Sequence, residues 1–256
     1  MTPFSVEFID CMGVLGDQSR PTQVSETWNA VTRYFAGLGF TEVNYALFDP
    51  RQNASVEPMV RFYTTMDREW IEYYTDQRFD EVDATLKSVQ TGATTPLFTG
   101  VHLSASFDRL TGEEQNVMRL AGEAGWKSAM VLPLTSSFDA SRNGGGISIA
   151  GGMPEREFWS LVRRHGLEMM VLAETLHRRI GGPIAQQLFQ LPALSPRERD
   201  SLSYIARGLR IDQIADKLGI ARVTVEMHLR NARKRLQART LPQAVATAMR
   251  LGQIRP

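Results

Sequence analysis

The sequence has little of what marks secreted or membrane-bound proteins. Its one cysteine, Cys11, excludes an internal disulfide and fits a reducing compartment. No run of about 18 apolar residues occurs, so no membrane-spanning helix is expected. Residues 1–16 contain no Lys or Arg, which argues against a secretory signal. We therefore expect a cytoplasmic protein that does not act at a membrane.

Signatures of catalysis are also missing. The four histidines are scattered, and no cluster with metal-ligand spacing appears. Gly144-Gly145-Gly146 is followed by neither Lys-Ser nor a helix start, so it does not resemble a phosphate-binding loop. A phosphorylated receiver would need paired acids after one apolar strand and an Asp after another, and this arrangement is not found. We expect no enzyme activity, metal or cofactor. Control by phosphorylation, as in a response regulator, is the weaker alternative for how the protein is regulated.

Charge is distributed unevenly between two parts of the chain. The net charge is +1, but residues 193–256 carry 13 Lys plus Arg against 5 Asp plus Glu, a net of +8. Residues 1–192 carry 16 basic against 23 acidic side chains, a net of −7. A small basic module on an acidic body favours contact with nucleic acid. On charge alone, a solvated charged surface is an equal alternative.

The clearest break in the chain is Gly181-Gly182-Pro183, which predicts the end of a helix and the start of a connector. We therefore divide the sequence into a large domain over residues 1–182, a linker over 183–192 and a small domain over 193–256. Gly144-Gly145-Gly146 predicts a turn inside the first domain, and the alternating segment after it predicts a strand.

The first domain combines helices with clustered strands, which predicts a mixed sheet covered on its faces. Helices are predicted at Ser25–Gly37, Asp67–Gln77, Asp83–Thr91, Thr111–Ala124 and Pro154–Arg179. Strands are predicted at Glu42–Asp49, Met59–Thr64, Ser128–Thr135 and Gly146–Gly151. The fold class expected for the whole chain is α+β, with an N-terminal α/β/α sandwich that binds a ligand and a C-terminal all-α domain of four helices.

The second domain begins with a dense helix-start signal. Ser195 and Glu198 can form a capping box around Pro196, which sits where its missing N–H costs nothing. The predicted helices run from this point to Arg207, over Ile211–Leu218, from about Ala221 to Leu236, and over Leu241–Leu251.

The third of these helices has the pattern of a DNA-recognition helix. One apolar stripe can pack on the first two helices, formed by Val225, Leu229, Ala232 and Leu236. Polar side chains flank it, namely Arg222, Glu226, Arg230 and Arg233 on one side and Thr224, His228, Asn231 and Arg235 on the other. This arrangement suits insertion into a major groove, and the alternative is a solvated amphipathic helix. His228 has no second ligand nearby, so it is expected at the polar surface or on a phosphate rather than on a metal.

A second constellation lies in the first domain. Trp70 and Tyr74 are one helical turn apart and share a face, and Asp83 and Thr85 follow a short irregular stretch. A buried Trp N–H and Tyr O–H need partners, and an Asp nearby offers an acceptor to an amide ligand. On spacing alone, an aromatic core pair with Asp83 as a helix cap is the better interpretation.

Three blocks of the second domain resemble the LuxR-type four-helix DNA-binding domain. The blocks are Leu194–Arg199, Ile214–Ile220 and Thr224–Leu236. This resemblance implies that the third helix enters the major groove and that the fourth helps a homodimer to form on a roughly palindromic operator. It implies base reading by Glu226 and Arg230. The remaining DNA-facing positions that we assign are Arg222, Thr224, Val225, His228, Asn231 and Lys234. Ala221 stands where the family usually has a Ser cap.

Residues 20–180 resemble, more weakly, the autoinducer-binding domain of LuxR-type quorum-sensing regulators. The resemblance implies that Trp70 donates to a lactone carbonyl, that Asp83 accepts the ligand's amide N–H and that Tyr74 lines the amide end. Thr85 and Ser148 match further polar pocket positions. The chain departs from the family at Met66, Ala84, Thr99 and Ala129. The first expectation is an acyl-homoserine lactone with an unusual chain, and the alternative is another small molecule that carries an amide.

Apolar residues that could line such a pocket could equally form plain core. We assign the walls to Tyr45, Leu47, Val60, Phe62, Leu86, Trp126, Met130 and Ile147. The sequence thus predicts a DNA-binding transcriptional regulator that is gated by a small diffusible autoinducer. The alternative within the same class is control by phosphorylation.

Overall fold

The computed structural model describes residues 4–16, 23–49, 60–136, 139–190 and 192–254. The chain forms two compact units, of which the first extends to Ile184 and the second continues from Ala185. No helix in these described ranges is long and apolar enough to cross a membrane. Met59, the first residue of a predicted strand, and Pro256, the last residue of the predicted small domain, lie outside the described residues.

The first unit is built on a five-stranded sheet in the order β2-β1-β5-β4-β3. The strands are β1 (Glu42–Phe48), β2 (Val60–Thr64), β3 (Leu97–Thr99), β4 (Ser128–Ser136) and β5 (Asp139–Gly151). Each of the four neighbouring pairs is antiparallel, so the expectation of a mixed sheet is wrong. β3 was not predicted, because three residues are too few for alternation to show.

Helices cover both faces of this sheet. They are α1 (Val6–Gly16), α2 (Val24–Gly37), α3 (Arg68–Asp76), α4 (Ala84–Gln90), α5 (Ser104–Phe107), α6 (Gly112–Glu123) and α7 (Glu155–Leu188), with a 3-10 turn at Phe79–Glu81. On one face, the Trp28 ring of α2 lies 4.9 Å from that of Tyr63. On the same face, the Tyr45 hydroxyl lies 2.5 Å from His177 Nδ1 of α7. Residues of α3, α4 and α6 lie over the other face, so the predicted α/β/α sandwich is confirmed.

The expected helix break at Gly181-Gly182-Pro183 is wrong, because α7 continues to Leu188. The predicted linker over 183–192 is therefore helical in its first part. Pro183 lacks the N–H that would bond the fourth carbonyl before it, but Ile180 and Ile184 are fully buried and oppose unwinding. Gly181 has a packing role, since a Cβ there would lie 2.6 Å from the Tyr45 hydroxyl.

The expected turn at Gly144-Gly145-Gly146 is also wrong, because these residues belong to β5. Gly145 pairs with Leu47 of β1, and a Cβ at Gly145 would overlap the carbonyl oxygen of Ala46. A glycine inside a strand can mark such a close approach of two backbones rather than a turn.

The second unit contains the four predicted helices, which follow the last turn of α7. They are α8 (Pro196–Ala206), α9 (Ile211–Leu218), α10 (Arg222–Arg235) and α11 (Leu241–Arg250). The capping box forms, since Glu198 N donates to Ser195 Oγ at 3.3 Å and Ser195 N donates to Glu198 Oε2 at 2.8 Å. The stripe on α10 is buried against the other helices, and Ala221 precedes α10 without a side-chain cap. The all-α second domain is confirmed.

Candidate functional site

The first unit contains a cavity between the sheet and the helices α3, α4 and α6. It has about 680 Å³ of empty space, solvent at its mouth included. Its lining is mostly apolar with a few polar groups, as is usual for small-molecule sites. Its lining residues are Asn44, Ala46, Phe62, Met66, Trp70, Ile71, Tyr74, Asp83, Thr85, Leu86, Val89, Val117, Met118, Ala121, Trp126, Val131, Gly146 and Ser148.

Asp83 is both a helix cap and a wall of this cavity. Its Oδ1 accepts from the backbone N–H of Thr85 at 2.8 Å and of Leu86 at 3.1 Å, and also from the Thr85 hydroxyl. Its Oδ2 accepts from the Tyr74 hydroxyl at 3.0 Å. An ionised carboxylate has about four acceptor sites in all, two on each oxygen. Oδ2 therefore has capacity for one more donor, whereas Oδ1 is saturated by the cap.

Tyr74 is fixed as a hydrogen-bond donor. Burial, followed by the neighbouring Asp83, holds the pKa of Tyr74 well above its usual value of 10.0. The hydroxyl stays protonated at neutral pH and orients the Asp83 carboxylate. The Trp70 ring lies 6.2 Å from the Tyr74 ring, and its N–H has no partner among the described residues. The lining of one cavity thus offers a free donor on Trp70 and a free acceptor on Asp83.

The cavity brings together most of the side chains that the sequence singled out. Trp70, Tyr74, Asp83, Thr85, Ser148, Phe62, Leu86 and Trp126 all line it. By contrast, the expectation that Tyr45, Leu47, Met130 and Ile147 form its walls is corrected by the strand registers. These four residues lie on the opposite face of the sheet, where Tyr45 contacts His177. Val60 lies on the cavity face at the start of β2, but it does not reach the lining.

The physical reason for this error is that the centre of the sheet is buried on both faces. All five central residues of β1 are buried, so its hydrophobic pattern does not alternate. A strand shifted by one residue exchanges one face for the other. The cavity face of the sheet therefore carries Asn44, Ala46, Val131 and Gly146, which sequence reasoning missed. The available signal was Asn44, a polar residue inside an apolar strand.

Two buried polar atoms in the cavity lack partners among the described residues, Asn44 Oδ1 and Trp126 Nε1. The side chains that carry them are 9% and 8% exposed. Buried polar groups in folded proteins are nearly always hydrogen-bonded, so each such exception needs an explanation.

In the second unit, α10 presents a polar surface opposite its buried stripe. Arg230, Asn231 and Lys234 are exposed, and Thr224, Glu226 and His228 are half-buried. Arg222 bonds Asp212 Oδ1 at 3.0 Å and Glu226 Oε1 at 3.1 Å. The assignment of Val225 to the DNA-facing set is corrected, because this side chain is fully buried on the side of α10 that faces the other helices.

The exposed side of α10 also contains two apolar residues that sequence reasoning missed. Val223 is 69% exposed and Met227 is 45% exposed. They lie one turn apart and continue into Arg230 and Lys234 at helical spacing. The signal that could have found them is their position opposite Val225 and Leu229, since apolar residues there have no core to enter.

No group of three potential metal ligands occurs in the parts of the chain that the structure describes.

Two family models match the chain. Residues 23–180 match the autoinducer binding domain, and residues 192–248 match the luxR family of bacterial regulatory proteins. Because the first match spans more than half of the chain, the protein belongs to the LuxR-type quorum-sensing transcriptional regulators, which join a signal-binding to a DNA-binding domain. The first domain is thus of the autoinducer-binding kind rather than a phosphorylated receiver.

Individual relatives agree with this membership. The chain is 29% identical over 252 residues to the quorum sensing-dependent transcriptional regulator RpaR of Rhodopseudomonas palustris, covering 98% of this chain and 95% of RpaR. It resembles the structure of SdiA from Escherichia coli with a TM-score of 0.59 at 21% identity, covering 97% and 99% of the two chains. It also resembles CepR2 of Burkholderia cenocepacia, an N-acylhomoserine lactone dependent factor, with a TM-score of 0.55 at 19% identity, covering 70% and 95%. The two structures support the fold.

Proposed function

We propose that this regulator responds to an acyl-homoserine lactone held in the cavity of its first domain. The observation that carries the proposal is that Trp70 and Asp83 line the same cavity, one with a free donor and the other with a free acceptor. A homoserine lactone amide needs both, because it presents carbonyl oxygens and one N–H. The lactone dependence in the name of the similar CepR2 supports the same class.

Each polar residue has a definite role in this proposal. Trp70 Nε1 donates to the lactone carbonyl, and Asp83 Oδ2 accepts the amide N–H while Tyr74 keeps the carboxylate in place. Thr85 and Ser148 lie within the same lining and serve the acyl carbonyl. The acyl chain occupies the apolar part, which Val89, Met118 and their neighbours form. A different small molecule with an amide would use the same pair, so it is the second candidate.

We propose that α10 contacts DNA in the second domain. Arg230 and Lys234 are exposed cations on the face opposite the core, which suits base and phosphate contacts. Arg222, Thr224, His228 and Asn231 flank this face and would contact phosphates. Val223 and Met227 offer apolar surface of the kind that meets thymine methyl groups. Glu226 is the other base-reading candidate. It is less exposed than Arg230 and forms an ion pair with Arg222.

The active form in this proposal is a cytoplasmic homodimer on a roughly palindromic operator. One recognition helix reads few bases, whereas two helices about 34–36 Å apart read adjacent major grooves. The first unit has exposed apolar side chains available for such pairing. They are Phe4, Val6, Ile9 and Val14 on or beside α1 and Leu167 and Met170 on α7.

The test of the ligand uses the melting temperature of the full chain with N-octanoyl-homoserine lactone. Ligand at a hundredfold excess over its dissociation constant should add about 2.7 kcal/mol to the stability of the binding unit. Asp83→Asn nearly preserves shape but alters charge and acceptor capacity, so it should lose most of this gain. Trp70→Phe should lose part of it, since an unpaired buried partner costs about 1–3 kcal/mol.

The matched control for the tryptophan is Trp159→Phe, since Trp159 lies on α7 and its N–H bonds Glu155 outside the cavity. The melting temperature of each variant without ligand separates lost binding from a damaged fold. If Asp83→Asn and Trp70→Phe both keep the full ligand-induced shift, the signal binds elsewhere and these residues are only cap and core.

A further inference from the structure

The cavity contains a second polar set that the proposed lactone head does not use. It consists of Asn44 Oδ1 and Trp126 Nε1, two buried atoms that have no partner among the described residues. Asn44 lies directly opposite Ser148 in the pairing of β1 with β5, and Ser148 lies opposite Val131 in the pairing of β5 with β4. Asn44, Ser148 and Val131 therefore form one row across the sheet, on its cavity face.

Trp126 borders this row. It belongs to the same buried cluster as Val131, Ala129 and Ala150, which are strand residues of this row and of the next row along the sheet. The set of Tyr74 and Asp83 is different, because Tyr74 packs in a separate cluster with Phe79 and Val117. The residues of both polar sets thus line one cavity from different places.

No described side chain satisfies the second set. Thr64 lies opposite Asn44 on β2, but its hydroxyl donates to the Val43 carbonyl and accepts from the Met66 amide. An asparagine in a strand that is otherwise apolar and buried is costly unless something bonds it. The cavity is what both unpartnered atoms share, so the partner that explains them is the ligand.

We infer that the signal carries a hydroxyl group on its acyl chain, close to the amide, and that Asn44 and Trp126 recognise it. This inference rests on the proposed lactone function. The unpartnered atoms are one acceptor and one donor, and a hydroxyl group both donates and accepts. An unsubstituted acyl chain would leave both atoms unpaired in an apolar surrounding.

The position close to the amide follows from the strand geometry. Phe62, whose ring lies 5.7 Å from that of Tyr74, is opposite Ala46, and Asn44 is two residues from Ala46 on β1. Two residues of a strand span about 7 Å. We therefore place the hydroxyl near the amide, at the 3-position of the acyl chain, because Asn44 is the cavity-facing residue of β1 next to Ala46.

The test compares N-(3-hydroxyoctanoyl)-homoserine lactone with N-octanoyl-homoserine lactone by calorimetric titration of the full chain. The wild type should bind the hydroxylated lactone about tenfold more tightly, since the other lactone leaves buried groups unpaired. Asn44→Leu should reduce this preference to about twofold or less, because it replaces the polar amide with an apolar group of similar size. Trp126→Phe should reduce it in part. Asn29→Leu and Trp159→Phe are matched controls outside the cavity and should keep the preference.

Equal binding of the two lactones by the wild type would overturn the inference, and so would a preference that Asn44→Leu retains. In both cases a loss of binding in Asp83→Asn would still support the lactone function. If neither lactone binds the wild type, the lactone function fails and the inference fails with it. The wild-type comparison and Trp126→Phe decide the question if Asn44→Leu does not fold.

Discussion

At the scale of single residues, two arginines of α10 differ in their local pairing. Arg222 bonds Asp212 and Glu226, whereas Arg230 is exposed and has no ion-pair or hydrogen-bond partner among the described residues. Arg230→Ala should weaken binding to operator DNA by about 1–3 kcal/mol and relax the preference at one base position if it makes a specific contact. The measurement is fluorescence anisotropy at fixed salt, with a duplex selected from random DNA by the wild type.

Arg250→Ala is the matched control, because it removes the same charge from the end of α11. It should weaken binding only by a small, sequence-independent amount. Equal affinity and an unchanged base preference in folded Arg230→Ala would remove Arg230 from the reading surface.

Single residues also show where prediction from sequence succeeds and fails. The spacing around Asp83 indicated a cap or a ligand acceptor, and the structure gives one carboxylate oxygen to the cap and leaves capacity on the other. The assignment of Tyr45 and Leu47 to the cavity failed for lack of alternation in β1, which is buried on both faces. The pairing of β1 with β5 and β2 determines which side chains of β1 lie on the cavity face of the sheet. No pattern within β1 itself contains this information.

At the scale of elements, a buried carboxylate joins three helices of the first unit. Glu168 of α7 accepts from the Ser5 amide beside α1 at 2.8 Å and from the Tyr34 hydroxyl of α2 at 2.5 Å, and it lies 2.8 Å from His165 Nδ1. Burial alone would raise the pKa of Glu168, but bonds from Tyr34, His165 and Ser5 hold it below the ordinary value of 4.5. The charged form is therefore the one that the fold stabilises.

Glu168→Gln should accordingly destabilise the first unit by about 1–3 kcal/mol at neutral pH. A carboxyl group with a lowered pKa in the folded state stabilises the fold above its unfolded-state pKa, and this contribution disappears as the pH falls through the folded value. The difference between wild type and variant should therefore shrink as the pH falls below 4.5. Urea unfolding across pH measures it, and Glu157→Gln on the exposed side of α7 is the control. A difference that does not change with pH would contradict the charged role.

The contact between β1 and β5 gives a second prediction for an element. Gly145→Ala should destabilise the sheet by about 1–3 kcal/mol, because its Cβ would overlap the Ala46 carbonyl and force the two strands apart. Gly152→Ala is the control, since a Cβ there meets nothing within 4 Å. Thermal unfolding of both variants checks this, and equal stability would show that the strands can adjust.

Elements differ in how much of them the sequence reveals. The four helices of the second unit were predicted nearly to their ends, because their signals are local. A capping box begins α8, Gly208 and Gly219 follow α8 and α9, and an apolar stripe runs along α10. The continuation of α7 through Pro183 was not predicted, since burial of Ile180 and Ile184 overrides the local signal. The close approaches that require Gly145 and Gly181 are likewise tertiary.

At the scale of the whole molecule, the proposed dimer would form through apolar side chains that are exposed on the first unit. Ser5 bonds Glu168, so the start of α1 lies beside the part of α7 that carries Leu167 and Met170. Phe4, Ile9 and Leu167 are 53%, 57% and 64% exposed. An exposed apolar patch on a soluble domain marks an interaction site, and a second copy of the chain would cover it symmetrically.

Leu167→Asp should therefore weaken the dimer and reduce operator affinity without touching α10 or the cavity. Sedimentation velocity with the selected duplex and saturating lactone should give two wild-type chains per duplex. With Leu167→Asp, the complex should form only at higher protein concentration, because the two half-sites are then bound independently. Asn116→Asp adds the same charge to an exposed position on α6 and should behave as the wild type. A consistent one-to-one wild-type complex would reject the dimer, and a stable two-to-one complex with Leu167→Asp would move its interface elsewhere.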